Sequence, residues 1–262
     1  MKEAPYISDA ANCLIPTGLA EMDSISLMDR IETKYVVSLN MIPAIIGKLN
    51  GAYKILEINQ TRVFDYHNVY LDTPEFHFFQ QHVTGKYERY KVRFRKYVDT
   101  GTTFLEIKTK NNKQRTKKVR IESQLTEFNT LSFDANMFIS ERLKGRYPEL
   151  NPVLINRFRR FTLAGLDSNE RITVDYDLRY SDDTGSMARF PYIAVIEVKR
   201  DGRKVFSPVS RVIKDNRIHP CGFSKYCMGA AAMKDLAHKN NLKAKFLLLN
   251  RIENEYFRSI YA

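Results

Sequence analysis

Hydrophobic side chains in the middle of the chain recur at every second residue, which is the period of a β-strand. Residues 91–95 read Lys-Val-Arg-Phe-Arg, and in residues 102–110 the apolar Leu105 and Ile107 alternate with Glu106 and Lys108. Residues i and i+2 of a strand point to the same face of a sheet. Each of these segments therefore predicts a strand with one charged face and one apolar face.

The same analysis along the whole chain predicts a mixed α+β domain. Strands are expected at 31–38, 61–71, 87–97, 102–110, 117–122, 153–163, 171–180 and 192–199. Helices are expected at 43–49, 76–81, 126–146, 209–214, 225–239 and 241–256, after an irregular and then helical start that ends at residues 28–30. Short turns such as 99–101 favour antiparallel pairing of the strands.

The even composition favours a single domain over residues 1–262, with a core at about 24–235 and C-terminal helices within 225–258. We expect about eight antiparallel strands with helices packed outside them. Hydrophobic residues make up 44% of the chain, which is enough for a sizeable core.

The chain is strongly basic. Its 42 Lys and Arg residues against 30 Asp and Glu residues give a formal net charge of +12. Such an excess attracts polyanions, which include nucleic acids, anionic membranes, nucleotides and polyphosphate. Charge alone does not choose among them.

Other features favour a cytoplasmic protein without a membrane span. No run approaches the roughly 18 apolar residues that a transmembrane helix needs, and the N-terminus lacks the apolar region of a secretory signal. Cys13, Cys221 and Cys227 lack the spacing of a zinc site, so we expect reduced thiols. The sequence leaves the oligomeric state open.

Charged strand faces are the main functional signal. The motif Glu-x-Lys occurs at 32–34, 106–108 and 197–199, each time within a predicted strand. A face bathed in solvent would explain any one such strand, but six strands repeat the pattern. A sheet that curls inward around a ligand explains the repetition better, and closing it into a barrel would also remove its exposed edges.

Phosphate chemistry accounts for both signs of charge on these faces. Arg makes forked contacts to phosphate oxygens and Lys acts as a point charge. Carboxylates would repel phosphate unless they hold Mg²⁺ or Mn²⁺. An RNA-binding sheet would place aromatic rings among the cations, whereas Phe94 points away from the face of Arg93 and Arg95. We therefore expect phosphate ligands and no nucleic acid.

Six segments together resemble the VTC domain, the polyphosphate polymerase domain of the triphosphate tunnel metalloenzyme superfamily. The resemblance extends over about 24–235. Its segments are 30–35, 70–74, 92–95, 105–110, 196–199 and 223–226. It implies an antiparallel closed β-barrel that forms a tunnel lined with basic residues.

The resemblance also implies which residues grip phosphate. They are Lys34, Arg93, Arg95, Lys108, Lys118, Arg159, Arg171 and Lys225. We add Arg120, which shares a face with Lys118, and Lys199, which shares a face with Glu197. Arg157 or Arg160 could take the place of Arg159, because the register of that basic run is open.

A catalytic subset is expected at Lys34, Arg93, Arg95, Lys108 and Arg171. Lys225 follows Ser224, a helix-capping residue, and free N–H groups at a helix start suit phosphate. The alternative for Lys225 is an ordinary surface lysine after a cap.

The metal ligand implied by the resemblance is Glu197, with help from Glu32 or Glu106. Many members of the superfamily begin with Glu-x-Glu-x-Lys, but Arg30 stands at the first of these positions. This departure favours the polymerase-like branch over a two-metal hydrolase. We expect the charged residues 34, 93, 95, 106, 108, 171 and 197 to line one cavity.

The implied function is a metal-dependent phosphotransferase that builds polyphosphate from the γ-phosphate of ATP. ATP, triphosphate and polyphosphate are the expected partners, with Mn²⁺ or Mg²⁺ as the cofactor. Two alternatives stay open. One is an inorganic or nucleoside triphosphatase at the same site, and the other is a non-catalytic module that binds polyphosphate or an inositol phosphate.

Overall fold

A computed structural model describes residues 5–24, 30–111, 116–124, 127–128, 130–147, 149–201 and 207–261 of the chain. The strands are β1 Ile15–Thr17, β2 Arg30–Ser38, β3 Tyr53–Leu56, β4 Phe64–Asp72, β5 Arg89–Tyr97, β6 Thr103–Lys110, β7 Thr116–Glu122, β8 Asn151–Gly165, β9 Glu170–Ser181 and β10 Met187–Asp201. The helices are α1 Pro5–Asn12, α2 Leu19–Ser24, α3 Ile42–Leu49, α4 His77–Val83, α5 Phe133–Leu143, α6 Pro208–Asp215, α7 Lys225–Met233 and α8 Lys243–Tyr261. Two short 3₁₀ turns lie at Leu39–Met41 and Lys239–Leu242.

One large sheet organises the domain. Its main path runs β2-β10-β9-β8-β4-β5-β6-β7, and every neighbouring pair on that path is antiparallel. β3 joins β8 at the side, and β1 pairs with β3 in parallel. The α+β class and the antiparallel meander are therefore confirmed. No ladder joins β2 to β7 within the described ranges, so a closed barrel is not confirmed.

Apolar side chains of one sheet face pack against helices on the outside. Ile196 and Val198 of β10 belong to a core with residues of α1, α3 and α6. Val92 of β5 and Ile107 of β6 belong to another core, which α5 covers through Phe138. The alternation of the sequence thus produces the apolar outer face that it predicts.

The opposite face is apolar at one end, and there the prediction that all helices lie outside is wrong. Val36 lies two residues beyond Lys34 and so shares its face, yet it belongs to a core with Tyr226 of α7 and Leu249 of α8. α7 approaches very closely, because a Cβ atom at Gly229 would lie 2.2 Å from the ring of Tyr180. This contact fixes the start of α7 beside the sheet.

Several elements differ from the sequence prediction. The short strands β1 and β3 fall where the sequence shows no clear period, because three or four residues are too few to display alternation, and α1 lies in the stretch that is expected to begin irregularly. The expected helix at 126–146 is shorter, Phe133–Leu143, and Ser132 caps it by accepting from the Ala135 backbone N–H at 3.3 Å.

Two sequence predictions fall partly outside the described residues. The expected helical end at 28–30 includes residues 28 and 29, and the side chain of Arg30 also lies outside the described part. Among the described helices, none combines the length and the apolar composition needed to cross a bilayer.

Candidate functional site

The polar part of the inner sheet face encloses a cavity of about 630 Å³. Its wall includes Glu32 on β2 and also Lys108 on β6 and Thr116 on β7, which lie near the other end of the strand order. The segment 220–224 before α7 and Lys245 on α8 complete the wall. The sheet therefore curves until distant strands face a common space.

Positive charge dominates this wall. Among the described residues of the wall, eleven side chains are cationic, and only Glu32 and Glu197 are carboxylates. The cations are Lys34, Arg89, Lys91, Arg93, Arg95, Lys108, Lys110, Arg160, Lys199, Lys225 and Lys245. Like charges gathered in a partly buried space repel one another, so a bound anion would stabilise the arrangement.

Four residues of alternating charge form two opposite-charge pairs across the neighbouring strands β2 and β10. Lys34 is opposite Glu197, and Glu32 is opposite Lys199. Lys34 Nζ lies 2.6 Å from Glu32 Oε1 and 3.1 Å from Glu197 Oε2, while Lys199 Nζ lies 2.5 Å from Glu197 Oε1. Burial opposes ionisation of Glu197, but Lys199, Lys34 and Arg160 outweigh it and hold the pKa of Glu197 well below its usual value.

A buried carboxylate orients two cations of the wall. Asp175 on β9 is 1% exposed. Arg160 donates to its two oxygens at 2.5 and 2.8 Å, and the ammonium of Lys225 donates to one of them. Burial would raise the pKa of Asp175, but Arg160 and Lys225 lower it to about 2. Asp175 is therefore ionised near neutral pH and fixes both side chains.

Glu106 holds Arg93 in the same way. Its side chain is fully buried and accepts from Arg93 Nε at 3.0 Å and Nη2 at 2.6 Å, while Lys118 pairs with its other oxygen. Arg95 Nε donates to Asn68 Oδ1 at 3.0 Å. These contacts restrict the guanidinium groups before any ligand binds, which lowers the entropic cost of binding.

Lys91 and Lys108 are among the wall lysines that have no carboxylate partner in the described part of the chain. Lys91 Nζ donates to Ser224 Oγ at 3.1 Å, and Lys108 has no ion pair there. Burial lowers the pKa of Lys108 well below its usual value, and Arg93 and Arg95 add to the effect. Burial likewise lowers the pKa of Lys91. An anionic ligand could therefore supply the negative partner that these two ammonium groups lack.

Asp72, from the resemblance segment 70–74, anchors the helices beside the cavity. Its oxygens accept from the backbone N–H groups of Phe78 and Phe79 at 2.8 and 2.9 Å, and from the hydroxyl of Tyr226. Tyr226 follows Lys225 in α7, so Asp72 links α4 to the segment that places Lys225. The partners are distant along the chain, so no local sequence pattern indicates this role.

The structure brings most of the predicted phosphate-binding residues into the cavity wall. They are Lys34, Arg93, Arg95, Lys108, Lys199 and Lys225. Lys118 lies behind Arg93 on Glu106, and the guanidinium of Arg120 lies over the ring of Phe104 at 4.3 Å. Neither is part of the wall.

Arg171 and Arg159 are placed elsewhere. Arg171 is opposite Lys199 across β9 and β10, but it does not line the cavity and donates to the Met22 carbonyl. Arg159 points to the outer face, 3.4 Å from Asp65, and Arg160 takes the position in the wall. Arg160 is one of the two alternatives to Arg159 that the sequence leaves open, and a β-bulge between Arg157 and Arg159 disturbs the register there.

Sequence analysis also left out Lys91, Arg89, Lys110 and Lys245, which line the cavity. Lys91 lies two residues before Arg93 and so shares its face of the strand, which was enough to predict its place in the cavity wall. Lys245 comes from a helix that closes over the cavity from far along the chain, and no local pattern indicates that placement.

A shared metal site fits the two carboxylates of the wall. The described residues contain no group of three or more His, Cys, Asp and Glu side chains that could hold an ion. However, Glu32 and Glu197 both contact the ammonium group of Lys34, so their oxygens are close enough together to share one cation. Mg²⁺ is commonly held by one or two carboxylates together with substrate phosphates. Glu106 does not fit, because Arg93 and Lys118 occupy its buried oxygens.

Comparisons with known proteins agree with the family suggested by the sequence. The model of the VTC domain matches residues 29–234. No curated protein matches the chain.

Solved structures of similar fold come from several organisms. A candidate adenylate cyclase from Bacillus halodurans is 14% identical, with a TM-score of 0.46 and coverage of 75% of this chain and 96% of that one. A candidate adenylyl cyclase from Hippeastrum with a dominant triphosphatase activity is 12% identical, with a TM-score of 0.44 and coverage of 79% and 97%. A candidate adenylate cyclase from Vibrio parahaemolyticus is 12% identical, with a TM-score of 0.40 and coverage of 82% and 97%.

Proposed function

Since the chain belongs to the VTC domain family, we propose that it is a metal-dependent phosphotransferase that builds polyphosphate from the γ-phosphate of ATP. The cavity between β2, β10, β5 and β6 is the proposed site. The observation that carries the proposal is the excess of cations over carboxylates in its wall.

The size of this excess favours a long phosphate chain. Eleven cations face two carboxylates in the described part of the wall, and the buried Glu106 and Asp175 directly behind it offset two more charges, which leaves an excess of seven positive charges. A triphosphate carries roughly four negative charges, about two of them on its terminal phosphate. A longer chain adds about one charge for each phosphate and so offsets the excess more fully.

Each kind of side chain has a distinct role in this proposal. Arg93, Arg95 and Arg160 present forked donors that orient phosphoryl oxygens. Lys91 and Lys108 supply charge where the wall has no carboxylate. Phosphoryl transfer has a loose transition state, and positioning together with electrostatic stabilisation supplies most of the catalysis.

Glu197 and Glu32 are the proposed holders of Mg²⁺ or Mn²⁺. A bound divalent ion would offset charge on the phosphoryl oxygens. Lys34 and Lys199 flank the same carboxylates. They keep Glu197 ionised and hold both carboxylates at the cavity wall.

The test is incubation of the whole chain with ATP and either Mg²⁺ or Mn²⁺. We expect long phosphate chains on a gel, with formation of ADP. A Lys91→Met/Lys108→Met variant should make few chains while keeping its fold, as judged by thermal unfolding. A Lys117→Met/Lys144→Met variant makes the same charge change outside the cavity and should behave like the wild type.

Two outcomes would replace the proposal. Release of free phosphate without chains would identify a triphosphatase. Tight binding of polyphosphate without turnover in either metal would identify a non-catalytic binding module.

A further inference from the structure

A row of basic side chains crosses the outer face of the sheet, on the side away from the cavity. The register aligns Lys96 of β5 with His67 of β4, and His67 with Arg157 of β8. Arg157 is opposite Arg179 of β9, and Arg179 is opposite Arg189 of β10. We call these five residues the outer row. Like charges directly opposite one another destabilise a sheet, so the alignment of Arg157, Arg179 and Arg189 across β8, β9 and β10 is a cost that a bound anion would offset.

Carboxylates offset only part of this charge. Asp177 pairs with Arg179 and lies 3.7 Å from Arg189, and Glu127 lies 3.3 Å from Arg157. Lys96 has no ion pair in the described ranges. Arg159 lies beside the row and pairs with Asp65.

A pocket of about 280 Å³ opens along the row. Its wall includes four members of the row together with Arg159, Asp65 and Asp177. Counted with the nearby Arg189, Glu127 and Asp99, whose carboxylate accepts from the Asp65 backbone N–H at 2.9 Å, the group holds five permanent cations and four carboxylates. The remaining positive charge favours an anion, and a phosphate group carries about −1.5 to −2 at neutral pH.

His67 provides an independent sign of a ligand. It is only 7% exposed, it lines the pocket, and its buried Nε2 makes no hydrogen bond within the described part of the protein. Glu127 Oε1 lies 3.2 Å from Nε2 but is not aligned for a hydrogen bond. Burial, with Arg157 and Lys96 nearby, lowers the pKa of His67 to about 4, so the ring is neutral near pH 7. A buried polar nitrogen without a partner is costly, and a ligand oxygen would satisfy it.

We propose that this outer pocket is a second anion site, distinct from the cavity, that binds one phosphate group. The group is either inorganic phosphate or the terminal phosphate of a longer molecule. Lys96 supplies a charge without a partner, Arg157 supplies forked donors, and the His67 ring supplies a directed contact. The proposal does not depend on the reaction that occurs in the cavity.

Two histidines allow each site to be observed separately. His67 lines the outer pocket, and His82 lines the cavity. Imidazole resonances of the whole chain, assigned with His67→Gln and His82→Gln variants, are followed in chelator while inorganic phosphate or tripolyphosphate is added. We expect a saturable shift at His67. The anion with the lower midpoint identifies the source of the phosphate group.

Paired variants separate the two sites. Lys96→Gln/Arg157→Gln should raise the midpoint at His67 at least tenfold and leave the His82 response unchanged. Lys91→Met/Lys108→Met should do the reverse. Arg211→Gln/Lys239→Gln removes the same charge from exposed pairs elsewhere and should change neither midpoint. The proposal is overturned if His67 shows no saturable shift, if chloride at equal ionic strength produces the same shift, or if the Lys96→Gln/Arg157→Gln midpoint equals that of the wild type.

Discussion

Lys34 of β2 and Glu197 of β10 are opposite one another across a single pair of strands, and Lys34 Nζ lies 3.1 Å from Glu197 Oε2. The pair places an ammonium group at the position where two carboxylates of the cavity converge. A divalent ion and Lys34 therefore compete for the same oxygens unless phosphate draws the lysine away.

Replacing Glu197 with Gln should separate turnover from anion binding. The change keeps the size of the side chain and removes its charge, so turnover with ATP should fall by about 10² or more, the scale for loss of one key electrostatic group. Binding of tripolyphosphate in chelator should be equal or tighter, because a carboxylate near phosphate is unfavourable without a metal. Turnover assays and calorimetric titrations measure the two effects.

The exposed Glu255 provides a matched control, since Glu255→Gln removes the same charge from the surface pair with Arg251. It should leave both measurements unchanged. Turnover of the Glu197→Gln variant that survives in chelator would rule out a metal-dependent mechanism at this carboxylate.

Lys108→Met should weaken anion binding and raise the stability of the free protein. Hydrogen bonds to charged groups contribute about 1.5–3 kcal/mol, so affinity for tripolyphosphate should fall by roughly 10- to 100-fold. Burial and the neighbouring arginines lower the pKa of Lys108 in the folded state, so its charge opposes folding when no anion is bound. Thermal unfolding should therefore show a higher Tm without ligand and a smaller increase of Tm with tripolyphosphate.

The exposed Lys117 on β7 gives the comparison for that experiment, because Lys117→Met removes a lysine outside the cavity. It should lower the affinity by much less than tenfold. Equal losses in the two variants would mean that net charge, and not the position of Lys108, governs binding.

Strand parity made much of the cavity predictable from the sequence. In β5 and β6 the period of two holds without interruption, so Arg93, Arg95 and Lys108 fall on the face that the alternation assigns. The pairing of Glu197 with Lys34 also agrees with the parity of the two Glu-x-Lys motifs. The alternation within a strand determines which face of the sheet a side chain occupies. The curvature of the sheet then brings the charged faces of different strands together.

Other parts of the site depend on geometry that no local pattern encodes. The bulge in β8 disturbs the register near Arg159, so the sequence could not decide between Arg159 and Arg160. Arg171 has the expected parity but lies outside the cavity wall, because parity gives a face and not a position along the strand. Closure of the sheet depends on how its two end strands meet, and the sequence pattern within each strand carries no information on that.

Asp175→Asn should strongly destabilise the protein at neutral pH. The substitution removes the charge between Arg160 and Lys225 and leaves two buried cations without their partner. Loss of one member of a buried ion pair costs about 3–5 kcal/mol. Urea unfolding at pH 7 measures the change, and added tripolyphosphate should restore part of the loss by supplying negative charge. Asp235→Asn, at an exposed pair with Lys239, should have little effect.

Lowering the pH should reduce the difference in unfolding free energy between the wild type and the Asp175→Asn variant. The folded-state pKa of Asp175 is about 2, below its ordinary value of 3.8. A lowered pKa stabilises the folded state above about pH 3.8, and this stabilisation is lost as the pH falls toward 2. The difference in unfolding free energy between the two proteins should therefore shrink by about 2 kcal/mol between pH 5 and pH 2. A difference that stays constant over this range would show that Asp175 is not held ionised by Arg160 and Lys225.

Affinity for phosphate chains should rise with chain length beyond three phosphates. In the described part of the cavity wall, eleven cations face two carboxylates, and even with the buried Glu106 and Asp175 behind the wall the excess of positive charge exceeds the charge of a triphosphate. Each added phosphate brings about one more negative charge near a cation without a carboxylate partner. Kd should therefore fall steadily until the negative charge of the phosphate chain equals the excess positive charge of the wall.

Binding should weaken steeply as salt is added, because ions screen contacts that are partly open to solvent. Titrations with defined chains of about three to twelve phosphates at two salt concentrations, with adenosine as a control that should not compete, measure both trends. An affinity that is already maximal at three phosphates would show that the cavity is built for a triphosphate and would favour the triphosphatase over the polymerase.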